Sequence, residues 1–298
     1  MENKVPKIAY ITKLGKMYQG LAEEVLLSQQ LKKYQGKVQL IFTSPPFPLN
    51  RKKKYGNIKG DPYINWIANF APLFRKFLKK NGSIVIEMGN AWEPGEPVMS
   101  TLALRSLLEF LDRGNLNLCQ QFILYNPARL PTPAQWVTIE RVRVKDAFTH
   151  FWWMAPSANP KANNRRVLTA YSDSMKRLLS SKKYNAGRRP SEHLIGKTSF
   201  LKDNKGAISS NVIVASNTNS NDFYHNFCRD KGITPHPARM PAKVAEFFIK
   251  FLSSRGDLIL DPFGGSNTTG AVAESLQRRW ISIEPIKSYI QGSRGRFL

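Results

Sequence analysis

Asp257 to Gly270 reads DLILDPFGGSNTTG, and the architecture of the whole chain can be read outward from it. DLILD is an apolar run of strand length, the glycine pair is a tight turn, and TTGAVAESLQ has the composition of a helix. A second strand, WISIE at 280–284, and an amphipathic helix, PAKVAEFFIKFL at 241–252, lie on either side. The first half of the chain repeats the alternation. Helical spacing covers 22–34, 62–80 and 98–113. Strand-like runs are VQLIFT at 38–43, NGSIVIEMG at 81–89, CQQFILY at 119–125 and AFTHFWWMA at 147–155. Within 62–80, Ile64, Ile67, Phe70, Phe74, Phe77 and Leu78 fall on one broad face. Strands alternating with helices predict the α/β class, a sheet with parallel elements.

That texture stops near Pro156. Residues 155–235 hold 14 Lys or Arg against 5 Asp or Glu, with many Asn, Ser and Gly and weak periodicity. They are expected to form a basic, loop-rich insert that divides the chain into 1–154, 155–235 and 236–298. The polar stretch SNTNSND at 216–222 reads as a loop.

Hydrophobic residues make up 42% of the 298, enough for a real core. No stretch reaches the ~18 apolar residues of a membrane span. The start, MENKVPKIAY, lacks the apolar run of a signal peptide. Cys119 and Cys228 form no Cys-x-x-Cys pair and the four histidines show no ligand spacing, so no metal site is expected. A reduced, cytoplasmic setting follows. Lys plus Arg is 45 against 21 Asp plus Glu, a net charge of +24. Such a surface attracts polyanions and displaces counterions from nucleic acid. A basic surface serving solubility alone is the blander alternative.

A strand ending in a glycine turn and a helix is the frame of a nucleotide-type pocket. In the dinucleotide fingerprint G-x-G-x-x-G, the middle glycine admits the pyrophosphate. Here Gly265, Asn267 and Gly270 take the three places, so the middle glycine is missing. A ligand without pyrophosphate does not need it, and S-adenosylmethionine is such a ligand. Glu284 ends the next strand, where an acid can accept both ribose hydroxyls. A tight turn or a surface glutamate would explain either feature singly. Loop, helix, next strand and terminal acid together favour a pocket.

TSPPF at 43–47 also follows a buried strand. Ligands of open α/β sheets gather beyond the carboxyl ends of the strands, so Ser44–Phe47 and Phe263–Gly270 are expected to face one crevice. The prolines stiffen the backbone and turn the Pro45 carbonyl outward. That carbonyl and the Ser44 hydroxyl can hold the two hydrogens of an exocyclic amine, while Phe47 stacks on a flipped base. Taken alone, SPPF would be a strand cap with a proline turn.

The pair TSPPF and DPFGGSNTTG resembles the motifs of the amino-methylating DNA methyltransferases. The order, with the catalytic motif first, a basic variable region next and the cofactor loop last, resembles their beta class. A serine heading the proline motif resembles the cytosine-N4 type. RKKKYGN, RVRVKDAFTHFWWM, YSDSMKRL, RPSEHLIGKTSF and HPARMPAKVAEFFIKFL extend the likeness over 35–298. The resemblance implies a Rossmann-like mixed sheet of the S-adenosylmethionine-dependent methyltransferase type, with a basic, loop-rich target-recognition insert. It implies site-specific transfer of a methyl group to N4 of a flipped cytosine in duplex DNA, without a covalent enzyme intermediate, in a restriction-modification system. It places catalysis on Ser44, Pro45, Pro46 and Phe47, with Glu87 near the target amine. Cofactor binding falls on Phe263, Gly264, Gly265, Ser266, Asn267 and Glu284, and on Pro237 and Ala238 of HPAR, the segment that closes over the cofactor's methionine end. Leu21 departs from the pattern, standing where relatives often carry Asp after Gly; Glu23 or Glu24 is the candidate substitute.

Contacts to double-stranded DNA are expected from Arg165, Arg166, Lys176, Arg177, Arg188 and Arg189 of the insert. Arg51, Lys52, Lys53 and Lys54 are expected to order over the duplex as the base flips. A palindromic site needs two separate methylations, so a monomer suffices. A cognate restriction endonuclease would share the site without being a bound subunit. Adenine-N6 methylation is the nearest alternative, since Ser44 can serve either base. Cytosine-C5 chemistry needs a cysteine nucleophile: Cys119 is expected to be buried in an apolar strand, and Cys228 lacks the context. Leu21 keeps a catalytically inactive DNA-binding relative in view. FWWM at 151–154 is expected in the core.

Overall fold

The computed structural model describes residues 6–48, 60–216 and 222–298. Arg51, Lys52, Lys53 and Lys54 lie outside the described residues, as does 217–221. The chain forms two compact units. One comprises Met1–Ala162 with Asn211–Leu298, the other Asn163–Ser210. Of the 155–235 segment, 163–210 is thus a unit of its own, and its flanks belong to the larger unit.

The larger unit begins with β1 (Lys7–Ile11), β2 (Gly15–Gln19), α1 (Ala22–Leu27), α2 (Gln29–Lys32), β3 (Val38–Thr43), α3 (Asp61–Ala68) and α4 (Phe70–Phe77). It continues with β4 (Leu78–Gly89), α5 (Leu102–Gly114), β5 (Asn117–Tyr125) and β6 (Phe148–Ala155). The smaller unit holds α6 (Asp173–Ser181) and the short pair β7 (Gly187–Arg188) and β8 (Leu194–Ile195). The chain then returns through β9 (Val212–Val214), α7 (Phe223–Asp230), α8 (Ala242–Leu252), β10 (Leu258–Asp261), α9 (Thr268–Ser275), β11 (Arg279–Glu284) and α10 (Lys287–Ser293).

Nine strands make one sheet in the order β1-β2-β11-β10-β3-β4-β6-β5-β9. The run β2, β11, β10, β3, β4 is parallel throughout. β1 runs antiparallel to β2, and β6 antiparallel to β4 and β5. Parallel strands covered on both faces read as unbroken apolar runs, and every residue of β3 and β10 is buried. Side chains alternate between the two layers. Ile41 and Ile84 face Tyr63, Phe74 and Phe110, whereas Leu40, Phe42 and Val85 face Phe248, Leu252 and Trp280. Phe151, Trp152, Trp153 and Met154 are buried, as expected of core. Among the described residues no helix is long and apolar enough to cross a membrane.

The connections out of the two central strands locate the site. β3 leads through α3 and α4 to β4 on one side, and β10 leads through α9 to β11 on the other. Crossovers that leave adjacent strands in opposite directions make a topological switch point, with a crevice beyond the carboxyl ends. Thr43, the last residue of β3, donates its hydroxyl to Asp261 Oδ1 at the end of β10 over 2.6 Å.

The smaller unit has little core of its own. No residue of α6 is buried, and its first turn is capped by Ser172, whose side chain accepts from the Met175 amide over 3.2 Å. An isolated bridge joins Thr169 to Ala207. This unit carries 11 Lys or Arg against 3 Asp or Glu.

Candidate active site

The turn after β3 is braced from two sides. Tyr63 of α3, fully buried, donates its hydroxyl to the Pro46 carbonyl over 2.8 Å. The Pro45 carbonyl has no such partner among the described residues. The Phe47 ring lies against Gly89 at the end of β4, where an added Cβ would come within 2.5 Å of Phe47 Cδ2. Glu87, two residues earlier on β4, is buried and accepts hydrogen bonds from the Ser44 hydroxyl and from Thr149 Oγ1, the latter over 3.2 Å. Burial pushes the Glu87 carboxyl above its ordinary range, opposed by those two bonds and by the charge of Arg129.

The turn after β10 is built around Glu284. Gly265 has φ 51, in the left-handed region open to glycine, and a Cβ on it would sit 3.1 Å from His236 Nε2. Its amide donates to Glu284 Oε2 over 2.9 Å, and the Ile286 amide donates to Oε1 over 2.8 Å. Each carboxylate oxygen retains capacity for a further donor. Burial pushes Glu284 up to about 7, against the pull of the two amides and with a smaller push from Asp261. A cavity of ≈ 200 Å³ joins the two turns. Ser44, Pro45, Pro46 and Phe47 line it on one part; Phe263, Gly264, Gly265, Ser266, Glu284 and Ala238 line the rest.

The sequence pattern of the DNA methylase family matches residues 38–294. The chain belongs to the DNA methylase family. It is 44% identical over 300 residues to the type II methyltransferase M.PvuII of Proteus hauseri, spanning 100% of this chain and 88% of that one. Type II methyltransferase M2.DpnII of Streptococcus pneumoniae is 43% identical over 67 residues, 22% of this chain and 25% of its own. Among solved structures, PvuII DNA methyltransferase (cytosine-N4-specific) superposes with a TM-score of 0.78 at 37% identity, covering 98% of this chain and 89% of that one. The M1.HpyAVI–SAM complex shares the fold, with a TM-score of 0.56 at 19% identity over 95% of this chain and 98% of that one.

Several residues expected at the site of this DNA methylase sit apart from the cavity itself. Glu87 reaches it through Ser44. Pro237 is exposed and does not line it. Asn267 is fully buried and holds the loop together. Its Oδ1 accepts from the Gly270 amide (3.1 Å) and the Ser282 hydroxyl (2.7 Å), and its Nδ2 donates to the Tyr10 hydroxyl (2.9 Å). The amino end of α9, where a dinucleotide would place its pyrophosphate, is thereby capped from within.

Other lining residues were not singled out from sequence. Asp261 is buried and accepts from Thr43, from the Phe263 amide (3.1 Å) and from Thr269; burial pushes its carboxyl up. Its position at a strand end was the available signal. His236 lines the cavity, its Nδ1 accepting from the Ala238 amide (3.3 Å) and its ring meeting Tyr289 edge-on at 4.5 Å. Burial lowers His236 to about 4, with the charges of Arg239 and Arg296 adding to it, so the ring is neutral at physiological pH.

Neither cysteine lines the cavity. Cys228 is buried, but Cys119, expected to be buried, is only half-covered because β5 lies next to the sheet edge. Among the described residues no group of His, Cys, Asp or Glu could hold a metal ion. Arg165, Arg166, Lys176, Arg177, Arg188 and Arg189 are all exposed on the smaller unit; Lys176 pairs with Asp173 over 3.0 Å and Arg188 with Glu192. Leu21 is exposed at the start of α1 and does not line the cavity. Glu23 accepts from Trp66 Nε1 over 2.7 Å instead of entering the cavity.

Proposed function

We propose that this DNA methylase moves the methyl group of S-adenosylmethionine to the exocyclic N4 of a flipped cytosine at a specific site in duplex DNA, with no covalent enzyme intermediate, as the modification arm of a restriction-modification system. The reading rests on one cavity shared by Ser44–Phe47, Phe263–Ser266 and Glu284, in a chain 44% identical over its full length to M.PvuII.

The donor set suits the cofactor. Glu284, with one backbone amide on each oxygen, can still accept both ribose hydroxyls. Phe263 and Ile286 offer apolar surface to a flat base, and the Asn267 cap removes any call for a phosphate. Bound there, S-adenosylmethionine supplies a methyl group on a cationic sulfur, electrophilic without further activation.

The chain's own residues handle the target. The braced Pro45–Pro46 turn presents the Pro45 carbonyl and the Ser44 hydroxyl to the two hydrogens of the amine, so that positioning and fixed dipoles lower the barrier. Phe47 stacks on the extruded ring, which offsets part of the few kcal/mol that unstacking costs. As the nitrogen gains a methyl group it sheds one proton. Ser44 passes that proton to Glu87, whose proton affinity burial has raised. Arg165, Arg166 and their neighbours hold phosphates and set the register on the duplex. One chain suffices for one strand at a time, in the cytoplasm, beside a nuclease that reads the same site.

Mass spectrometry of nucleosides from DNA incubated with the protein and S-adenosylmethionine tests this. N4-methylcytosine is the expected product. N6-methyladenine, or no methylated base with DNA binding retained, would overturn the assignment.

A further inference from the structure

We infer that helix α3 gauges the distance between the two turns: Tyr63 and Trp66 are positioning residues, the first fixing the target turn and the second, with Glu23, fixing the cofactor turn. The names of the two guests rest on the reaction proposed above; the bracing itself rests on packing.

Tyr63 fills core volume that phenylalanine would fill equally well. Its hydroxyl has a separate task, because it donates to the Pro46 carbonyl over 2.8 Å. Tyr63 is fully buried, so its hydroxyl has no water to turn to and takes the Pro46 carbonyl instead. Burial also pushes the phenol's pKa up, which keeps the donor protonated. Pro46 is the second proline of the turn, and holding its carbonyl fixes the direction of the Pro45 carbonyl that precedes it.

Trp66 lies three residues further on, on the same side of the helix. Its ring packs on Phe263 with centroids 5.7 Å apart, and both rings meet Phe70, at 5.4 and 5.2 Å. Phe263 lines the cavity. Trp66 is held in turn by its Nε1–H bond to Glu23 over 2.7 Å. Tyr63 and Trp66 touch each other, with ring centroids 5.6 Å apart. A helix rises about 1.5 Å per residue, so the two braces stand about 4.5 Å apart along a rod that does not stretch. This also gives Leu21 a context. The acid two residues after it acts from behind the cofactor turn, through Trp66.

Three variants separate the braces. Tyr63→Phe should slow single-turnover methylation roughly ten- to a hundredfold, since small misplacement at a reacting centre has that cost. Its Kd for S-adenosylhomocysteine should stay within about twofold, and hydrogen exchange should rise in 42–48 but not in 262–266. Trp66→Phe and Glu23→Ala should do the reverse: a Kd weakened several-fold, exchange raised in 262–266, and a rate at saturating cofactor within about threefold of the parent. Glu23→Gln, which keeps the acceptor, should recover most of what Glu23→Ala loses. Ile67→Val, buried on the same helix, is the control for plain destabilisation. The inference fails if Tyr63→Phe moves both readouts equally or neither, or if Ile67→Val reproduces either pattern. Failure of the parent protein to methylate cytosine would sink the proposed reaction, while the Kd and exchange arms would still decide this one.

Discussion

Cofactor affinity should weaken as pH falls through neutrality, because the carboxylate proposed to anchor the ribose titrates there. Glu284 is buried, and burial raises it to about 7 despite its two amide bonds. Its remaining lone pairs accept ribose hydroxyls well only when it is ionised. With a pKa near 7, roughly nine-tenths of free protein is ionised at pH 8 and roughly one-tenth at pH 6. Kd should therefore rise about tenfold between those values, ~1.4 kcal/mol. His236 titrates near 4 and so contributes nothing in this window. Titration calorimetry with S-adenosylhomocysteine avoids turnover and reads Kd directly. Glu284→Gln should bind more weakly at pH 8, by roughly ten- to a hundredfold for the loss of charge-assisted bonds, and should show no such slope. Stability moves the other way. A carboxyl whose folded pKa lies above its unfolded value binds its proton more tightly when folded, so this group adds stability to the free protein as pH falls from about 7 towards its unfolded pKa. Relative to Glu284→Gln, the parent should gain Tm on acidification while losing affinity. Asp261→Asn checks whether the neighbouring buried acid is responsible, since Asp261 also pushes Glu284 upward. A parent Kd that is flat from pH 6 to 8, or a slope that survives Glu284→Gln, would refute the assignment of Glu284.

Ser44→Ala should cut the single-turnover rate about a hundredfold, the usual scale for a lost proton-transfer or dipolar contact. Cofactor Kd should stay within about twofold, and an equal loss of both would make Ser44 a structural residue. Replacing Arg165 and Arg166 together by Ala should reduce the slope of log Kd against log salt for duplex DNA by up to about 2, at about 0.9 per phosphate contact. A filter-binding series over salt that leaves the slope unchanged would remove both from the phosphate-contacting set.

How much of this molecule could be read in its sequence follows from whether the forces involved are local. The central strands announce themselves because burial on both faces leaves no exposed position and so a mostly apolar run: VQLIFT and LILD are buried at every residue. The glycine turn was legible for a similar reason. Asn267 in the place of the usual glycine pointed away from pyrophosphate, and its side chain fills the cap of α9. Helix breaks were not legible. The spacing of 22–34 and 62–80 continues across Ser28 and Asn69, yet each run is two helices, and β4 begins at Leu78, inside the second expected helix. The hairpin of β1 and β2 also left no clear mark, since KIAYI and GKMYQ mix polar and apolar residues without strict alternation. The deepest gap concerns residues whose task depends on a partner remote in the chain. Thr43 and Asp261 are 218 positions apart yet share a 2.6 Å hydrogen bond. Tyr63 reads as one more aromatic on a helix, and nothing in its neighbours tells a core ring from a brace on Pro46. Such residues become visible only once the sheet order is known. The same fact explains why the site does not depend on the catalytic motif preceding the cofactor loop: a switch point is defined by which strands lie side by side, and β3 and β10 are neighbours whichever of them the chain reaches first.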